Sequence, residues 1–509
     1  MDCRFTLRGG LLLALLVPAV GCGESDSTEA LARAAEAMPV PSVEVPAADG
    51  PKLMAVASTP VLEKPTPQAR ALGELRVGGV VARSAKPYSS RGCEGGWYVV
   101  RPRGFVCAGA SVTVEPAPRQ DEGSPARALP YRYGRTRTEG VPVYARMPTP
   151  AEQLAAEPDL VRHLEKSAKE EGERLGPAAN DVPLDERGVA TGPAILMLDG
   201  EGVVGGRRLA GGFFAFAPSD APSLGLVALP GNDILAASLR KGSGVAIRAS
   251  FLGDGGSRAR RFGVLADGGL VPVDRLRAAV GSTWHGLDIE TLGLPVSFVH
   301  KLGTTTWHLD RGQAEQVEDD ELDRRTAVPM SGRFRTVNGV RFEETREGTW
   351  LRAQDLVAVV RRTALPEFAT GSQKWLDVSV ANQTLTAYEG TKPVYVTLVS
   401  TGRSTIGASE DTATTQGSFR VRRKALTRRA APKHSALTHA PWAMEVESGF
   451  SIVGSYWSDS FGEPDGVHDL VLAPIDAKKL FEWAGPPMPA GYHEIAVADS
   501  EATIVHVRR

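Results

Sequence analysis

The sequence predicts a mainly β chain with some α, assembled from several domains. The 509 residues are enough for more than one core. The 55 glycines and 36 prolines exclude a helical bundle or coiled coil. Short apolar runs, alternating or continuous, recur between glycine turns from Leu72 onward, which is how strands and their connections read. Lys and Arg total 58 against 60 Asp and Glu, a net charge of −2, so no global basic field recruits nucleic acid or an anionic surface. Nucleic acid is therefore not an expected partner, and any partner is recognised locally. The cysteines, Cys3, Cys22, Cys93 and Cys107, are too few for a disulfide framework and fall into two pairs that need separate explanations.

Arg4 and Arg8 precede an apolar run over 11–20, and Ala19-Val20-Gly21 places small residues before Cys22, the layout of a secretory signal over 1–21. At about ten residues the run is too short to span a membrane. A cysteine directly after the small residues resembles the bacterial lipobox, which implies that Cys22 becomes the lipidated first residue of the mature protein; the alternative is an ordinary signal with an incidental cysteine. Gly23 in place of an aspartate, by resemblance to diderm lipoproteins, implies a cell-envelope protein lipid-anchored at the outer membrane and facing the periplasm. Residues 22–66 are rich in Ala, Glu, Ser and Pro without a sustained period and read as a disordered tether, with a reach on the order of 100 Å.

Residues 67–115 carry short β runs divided by glycines and read as a small barrel. Gly96-Trp97-Tyr98-Val99 followed by Gly104-Phe105-Val106 resembles bacterial SH3-like domains, modules found beside cell-wall enzymes. Cys93 and Cys107 bracket that hairpin. In an exported protein they most simply form a disulfide, adding about 3 kcal/mol to a small domain, whereas a reactive thiol lacks a nearby histidine. Residues 126–365 read as a β-rich or α+β middle region: an amphipathic helix over 151–174 interrupted by Pro158, with His163 at its surface or half-buried, then β runs at 194–198, 213–216, 225–229, 245–251, at Val264 and at 271–273. Its end, 339–356, repeats the glycine, tryptophan and apolar order around Trp97 and hints at a second SH3-like unit. Glu318-Asp319-Asp320-Glu321, close to Arg324-Arg325, reads as a solvated connector.

From Lys374 the alternation sharpens into a meander: Leu376, Val378 and Val380 on one face, a turn at Asn382-Gln383, a return over 385–388 and a third strand over 394–399. Trp375-Leu376-Asp377-Val378, Gln383-Thr384-Leu385-Thr386-Ala387-Tyr388, Thr414-Thr415-Gln416-Gly417-Ser418-Phe419, Pro441-Trp442, Gly454-Ser455-Tyr456-Trp457, Phe461-Gly462 and the run from Pro474 to Trp483 appear in order. Together they resemble L,D-transpeptidase (YkuD-type) catalytic domains, which implies a β-sandwich over 371–509 and peptidoglycan stem peptides as partners. The family's chemistry needs a cysteine thiolate, a histidine base and backbone donors for the oxyanion.

The resemblance breaks at those groups. Counting without a gap from Phe461-Gly462 to Pro474 sets Gly466-Val467-His468-Asp469 against the family's Ser-His-Gly-Cys, so Asp469 stands in the nucleophile's place. The catalytic histidine falls on Val453 and a further family histidine on Ser458. A shift by one would align His468 with the motif's histidine but put Leu470 at the cysteine. His468 and Asp469 remain candidates for an acid/base pair, or for half of a metal site with His434 or His439; the plainer reading is a partly buried histidine beside a solvent-facing aspartate. No cofactor and no metal is implied. Tyr456, Trp457, Arg422 and Arg423 are the candidate cleft residues, and the basic stretch from Arg420 to Lys433 lies where the family has a flap. The expected function is a lipid-anchored envelope protein whose C-terminal domain binds or scaffolds peptidoglycan without catalysis. The alternatives are a divergent transpeptidase or hydrolase working through His468 and Asp469, or a purely structural lipoprotein if side chains fill the cleft.

Overall fold

Strands begin at Lys52 in the computed structural model, which describes residues 45–115, 128–166, 195–198, 201–204, 207–208, 234–252, 260–402, 413–430, 438–464 and 468–509. The signal segment, Cys22, the runs at 213–216 and 225–229, and His434 lie outside the described residues. The tether expected to reach residue 66 gives way to strands Lys52–Ala55 and Thr59–Leu62. Leu53, Ala55 and Val61 alternate inward and are fully buried, which is what orders a stretch whose composition suggested disorder. Lys52–Ala55 sits between Val80–Ala82 and Val112–Thr113, while Thr59–Leu62 pairs with Ala71–Leu75 and Phe105–Cys107. Trp97–Val99 completes the expected hairpin with Phe105–Cys107, and Cys93 and Cys107 are disulfide-bonded across its base with Cα atoms 5.8 Å apart.

The middle region divides into separate sheets. Strands Arg132–Thr136, Val141–Tyr144, Leu235–Leu239, Gly244–Leu252, Arg261–Leu265, Leu270–Pro272 and Leu276–Ala279 enclose Val141, Val143, Val245, Ile247, Leu265, Val271 and Leu276. Helix Pro150–Ala156 starts in a capping box, with Thr149 Oγ1 accepting the Glu152 N–H and the Glu152 carboxylate accepting the Thr149 N–H. Pro158 stops it, and helical turns resume at 160–166, where His163 Nε2 meets Asp274 Oδ2 at 2.9 Å. Strands Ile195–Leu198, Glu201–Val204 and Arg207–Arg208 form a small sheet of their own.

Residues 296–359 form a seven-stranded sheet. Its edge strand, Gln313–Leu322, carries Glu318 to Glu321 and pairs with Thr304–Asp310, so the acidic run is not a connector. An edge strand tolerates such a run because one side of its ladder faces water. In 339–356, strand Trp350–Arg352 leads through a 3₁₀ turn, Ala353–Asp355, into Leu356–Val359; the same order of strand, 3₁₀ turn and strand occurs over Leu270–Pro272, Val273–Arg275 and Leu276–Ala279.

The C-terminal domain packs two sheets face to face over Leu376, Val378, Leu385, Val421, Met444, Ile452, Leu470 and Val505. One sheet is the meander Lys374–Ser379, Thr384–Glu389 and Lys392–Leu398, extended by Ile504–Arg508, which runs parallel to Lys374–Ser379. Strand Gly417–Ala430 spans both layers: its first half pairs with Ile504–Arg508, its second with Thr438–Val446 and Tyr492–Ala496. Helix Pro474–Trp483 buries Ala477, Leu480 and Phe481 in this core. Tyr492–Ala496 also accepts Ala71–Leu75 from the N-terminal module as an antiparallel neighbour. Gly73 permits this approach, since a Cβ there would lie 2.5 Å from the Glu494 carbonyl oxygen.

Candidate functional site

Strands Ser451–Gly454 and Leu470–Leu472 run parallel, with Val453 opposite Val471 and Ile452 opposite Leu470. Residues 451 and 453 therefore share a face with 469 and 471, which gathers the positions where the family resemblance expects its histidine and its nucleophile. His468, which the gapless count from Phe461-Gly462 sets against the family's glycine, has a φ of 58°, in the left-handed region that glycine adopts most readily.

Each of the reactive candidates is committed elsewhere. Asp469 is half-buried rather than fully solvent-facing: its Oδ1 accepts the Ser451 N–H at 2.8 Å. Burial raises its carboxyl above the ordinary range, against the opposing pull of the Ser451 N–H and of Arg428. His468 Nδ1 lies 3.2 Å from the Ala413 carbonyl oxygen, and its own carbonyl accepts from Thr414 Oγ1 at 3.0 Å. Val453, 2% exposed, packs among Ala440, Ala443, Val471 and Trp457, so an apolar contact fills the place of a general base. His439, considered as a partner of His468 in a metal site, bonds instead to the Ala246 N–H and to Asp267. Among the described residues no three His, Cys, Asp or Glu side chains converge as metal ligands, and no helix is long and apolar enough to cross a membrane.

The four candidate cleft residues do not come together. Tyr456 is buried against the middle region, its ring centroid 4.4 Å from that of Tyr133, with Leu129, Ala246 and Ala279 around it. Trp457 stands edge-on to Tyr456 at 5.1 Å. Nearby, Trp442 Nε1 donates to the Ala128 carbonyl at 2.6 Å, so this face of the domain is covered by residues from 128 onward. Arg422 pairs with Glu447 and Asp499, and Arg423 with Glu494 and Glu445. Three more cations of the stretch are also engaged. Arg428 donates to Ser451 Oγ at 2.6 Å and Arg429 binds Asp267, while the fully buried Lys424 donates to the carbonyls of Ala484 and Pro486 at 2.6 and 2.7 Å. Across the described strand, Arg422, Arg423, Arg428 and Arg429 thus face carboxylates on neighbouring segments rather than standing as free cations.

Sequence reasoning missed the polar contacts that seat the middle region on this domain: Asp267, His439, and Tyr131 with His493, whose Nδ1 lies 3.2 Å from the tyrosine hydroxyl. Their members stand 172 and 362 residues apart, so no local pattern signals them. Chemically, the described residues offer a two-stranded wall on which the apolar Val453 takes the histidine's place and no thiol stands, and an aromatic face under a cover.

Solved structures matched by the chain include an L,D-transpeptidase (Yku) from Stackebrandtia nassauensis, at 22% identity over 28% of this chain and 57% of that one with a TM-score of 0.20. They also include an L,D-transpeptidase from Xylanimonas cellulosilytica, at 17% identity over 29% and 65% with a TM-score of 0.20. The catalytic domain of the E. faecium L,D-transpeptidase matches at 18% identity over 27% and 98%, also with a TM-score of 0.20. This chain thus spans less than two thirds of the length of the first two. No curated protein sequence matches it. Residues 373–488 match the family model of YkuD, the L,D-transpeptidase catalytic domain, and this part of the chain is an L,D-transpeptidase-like domain.

Proposed function

We propose that the protein is a lipid-anchored component of the cell envelope whose L,D-transpeptidase-like domain binds or scaffolds peptidoglycan stem peptides without catalysing their cross-linking. The domain family acts on peptidoglycan peptides, which supports the partner class. The observation that carries the loss of catalysis is the state of Asp469: a half-buried carboxylate bonded to the Ser451 N–H, on the same sheet face as the apolar Val453. Attack by a carboxylate would yield a labile anhydride, and a base to drive it is missing from the contacts of Val453. The anchor at Cys22 and the outer-membrane location rest on the signal's anatomy.

Carbapenem acylation followed by mass spectrometry tests the chemistry on the purified chain. No adduct is expected, and no cross-link from a disaccharide-tetrapeptide donor, while the chain should co-sediment with tetrapeptide-bearing peptidoglycan. Cross-linking by the wild type that disappears in Asp469→Ala or His468→Ala would overturn the non-catalytic reading. Conversely, Val453→His combined with Asp469→Cys should gain carbapenem labelling if only the reactive groups are missing. For the anchor, a fatty-acid analogue should label the wild type and not Cys22→Ala.

A further inference from the structure

The contact that seats the middle region on the L,D-transpeptidase-like domain dictates the protonation state of one histidine. His439, on strand Thr438–Val446, is 2% exposed, and its Nδ1 accepts the Ala246 N–H at 2.9 Å. A backbone amide only donates, so Nδ1 holds a lone pair and the ring proton is on Nε2, which donates to Asp267 Oδ2 at 3.1 Å. Two residues before Ala246, Gly244 bridges to Thr438 in parallel register. Ala246 itself packs with Leu129, Tyr133 and Ala279 over Tyr456. The bond that needs a neutral imidazole is thus part of the cover on the aromatic face.

We propose that His439 is an acid-labile clasp: a proton on Nδ1 sets an N–H against the Ala246 N–H, releases strand Gly244–Leu252 from Thr438–Val446 and uncovers Tyr456 and Trp457. As regulation of stem-peptide access, this rests on the function proposed above. The charged groups facing the histidine leave Nδ1 as the sensitive point. Asp267, between Arg261–Leu265 and Leu270–Pro272, favours the imidazolium, and Arg429 on Gly417–Ala430 offsets it by binding the same carboxylate. Although burial opposes it, hydrogen bonds from His439 and Arg429 hold the Asp267 carboxyl at about 2, so it stays ionised down to about pH 5. His493, on Tyr492–Ala496, also lies within electrostatic reach of Asp267 and His439, with Glu74 and Glu494 close by, and burial holds it below the usual histidine range. Its Nδ1 faces the Tyr131 hydroxyl, which donates or accepts, so its protonation leaves that contact possible.

Hydrogen exchange resolved to single amides, corrected for the intrinsic pH dependence of the chemistry, reads the clasp at Ala246 on the purified chain. Protection there is expected to fall roughly tenfold or more between about pH 7.5 and pH 5 in the wild type. In His439→Asn, whose side-chain oxygen accepts the same N–H without titrating, it should hold. Unchanged wild-type protection, or an equal fall in His439→Asn, overturns the proposal. If that variant fails to fold, His439→Gln and the wild-type profile decide. Co-sedimentation with tetrapeptide-bearing peptidoglycan at both pH values separates the two readings. Loss of protection without binding leaves the clasp standing and overturns the stem-peptide role; binding that is equal at both pH values with Ala246 unchanged overturns the clasp alone.

Discussion

Asp469 carries a pH signature that separates a structural carboxylate from a reactive one. Its folded-state pKa is raised by burial, so its contribution to stability is fully present below the ordinary carboxylate range, near about 4, and is lost as pH rises through the higher folded value. Asp469→Asn keeps an acceptor for the Ser451 N–H and removes the half-buried charge. It is expected to match the wild type near pH 4 and to be more stable by up to about 1 kcal/mol at neutral pH, as read from paired thermal melts. A variant less stable than the wild type only above pH 5 would reverse the sign and refute this account. The assignments of Asp469, by the count from Phe461-Gly462 to Pro474, and of Val453, by its place before Gly454-Ser455-Tyr456-Trp457, were read from chain order alone. The direction of the carboxylate was not. Alternation along a strand assigned it to solvent, but the left-handed His468 turns the chain just before it, and the alternation restarts from a different orientation.

Single elements here are held by partners far away in sequence. Glu157, the residue closing helix Pro150–Ala156, lies between Arg260 and Arg275, with Nη1 of the first at 2.6 Å and Nε of the second at 2.8 Å, and all three are buried. Tyr144 donates to the same carboxylate, and Arg275 also reaches Asp159. Removing the acid leaves Arg260 with the carboxylate of Asp274 alone and Arg275 with that of the more exposed Asp159 alone, so Glu157→Ala should cost about 3 kcal/mol in chemical denaturation, and Asp159→Ala, at the exposed rim, far less. For Asp274, burial works to raise the carboxyl, but bonds from His163 and Arg260 outweigh it and hold it well below the usual range; Glu157 is lowered in the same way. Depressed acids stabilise above the ordinary carboxylate range, so the wild type should lose stability as pH falls below about 4, and Glu157→Gln should lose less over that window. The break at Pro158 was readable because proline acts locally; the cluster was not, since Glu157 and Arg275 are 118 residues apart. Cys93 and Cys107 were readable because their loop is short. Replacing both by serine should lower stability by about 3 kcal/mol, the loop-closure value for a separation of 14.

At the scale of the molecule, the mainly β class was legible because strand periodicity is written in each short segment. The continuity of the sheets was not, because Ala71–Leu75 finds its partner in Tyr492–Ala496, with Gly73 opposite Ile495. Residues from Ala47 to the C-terminus accordingly form one compact unit rather than separable beads. The boundary at 371 that the family resemblance suggested therefore cuts through a shared fold. A fragment of residues 371–509 would lose the strand covering Tyr492–Ala496, leaving an open edge, and would expose Tyr492 and Ile495 from the core shared with Leu53, Val61 and Leu75. It would also bare Tyr456 and Trp442 where the middle region now sits. Such a fragment should be less stable than residues 47–509 and should self-associate, as seen by light scattering and thermal melts. The longer chain should stay monodisperse at the same concentration. A fragment that remained monomeric and melted at the temperature of the longer chain would show that the cross-module strand pairing adds nothing to stability, and would sink the view that one continuous sheet network holds the molecule together.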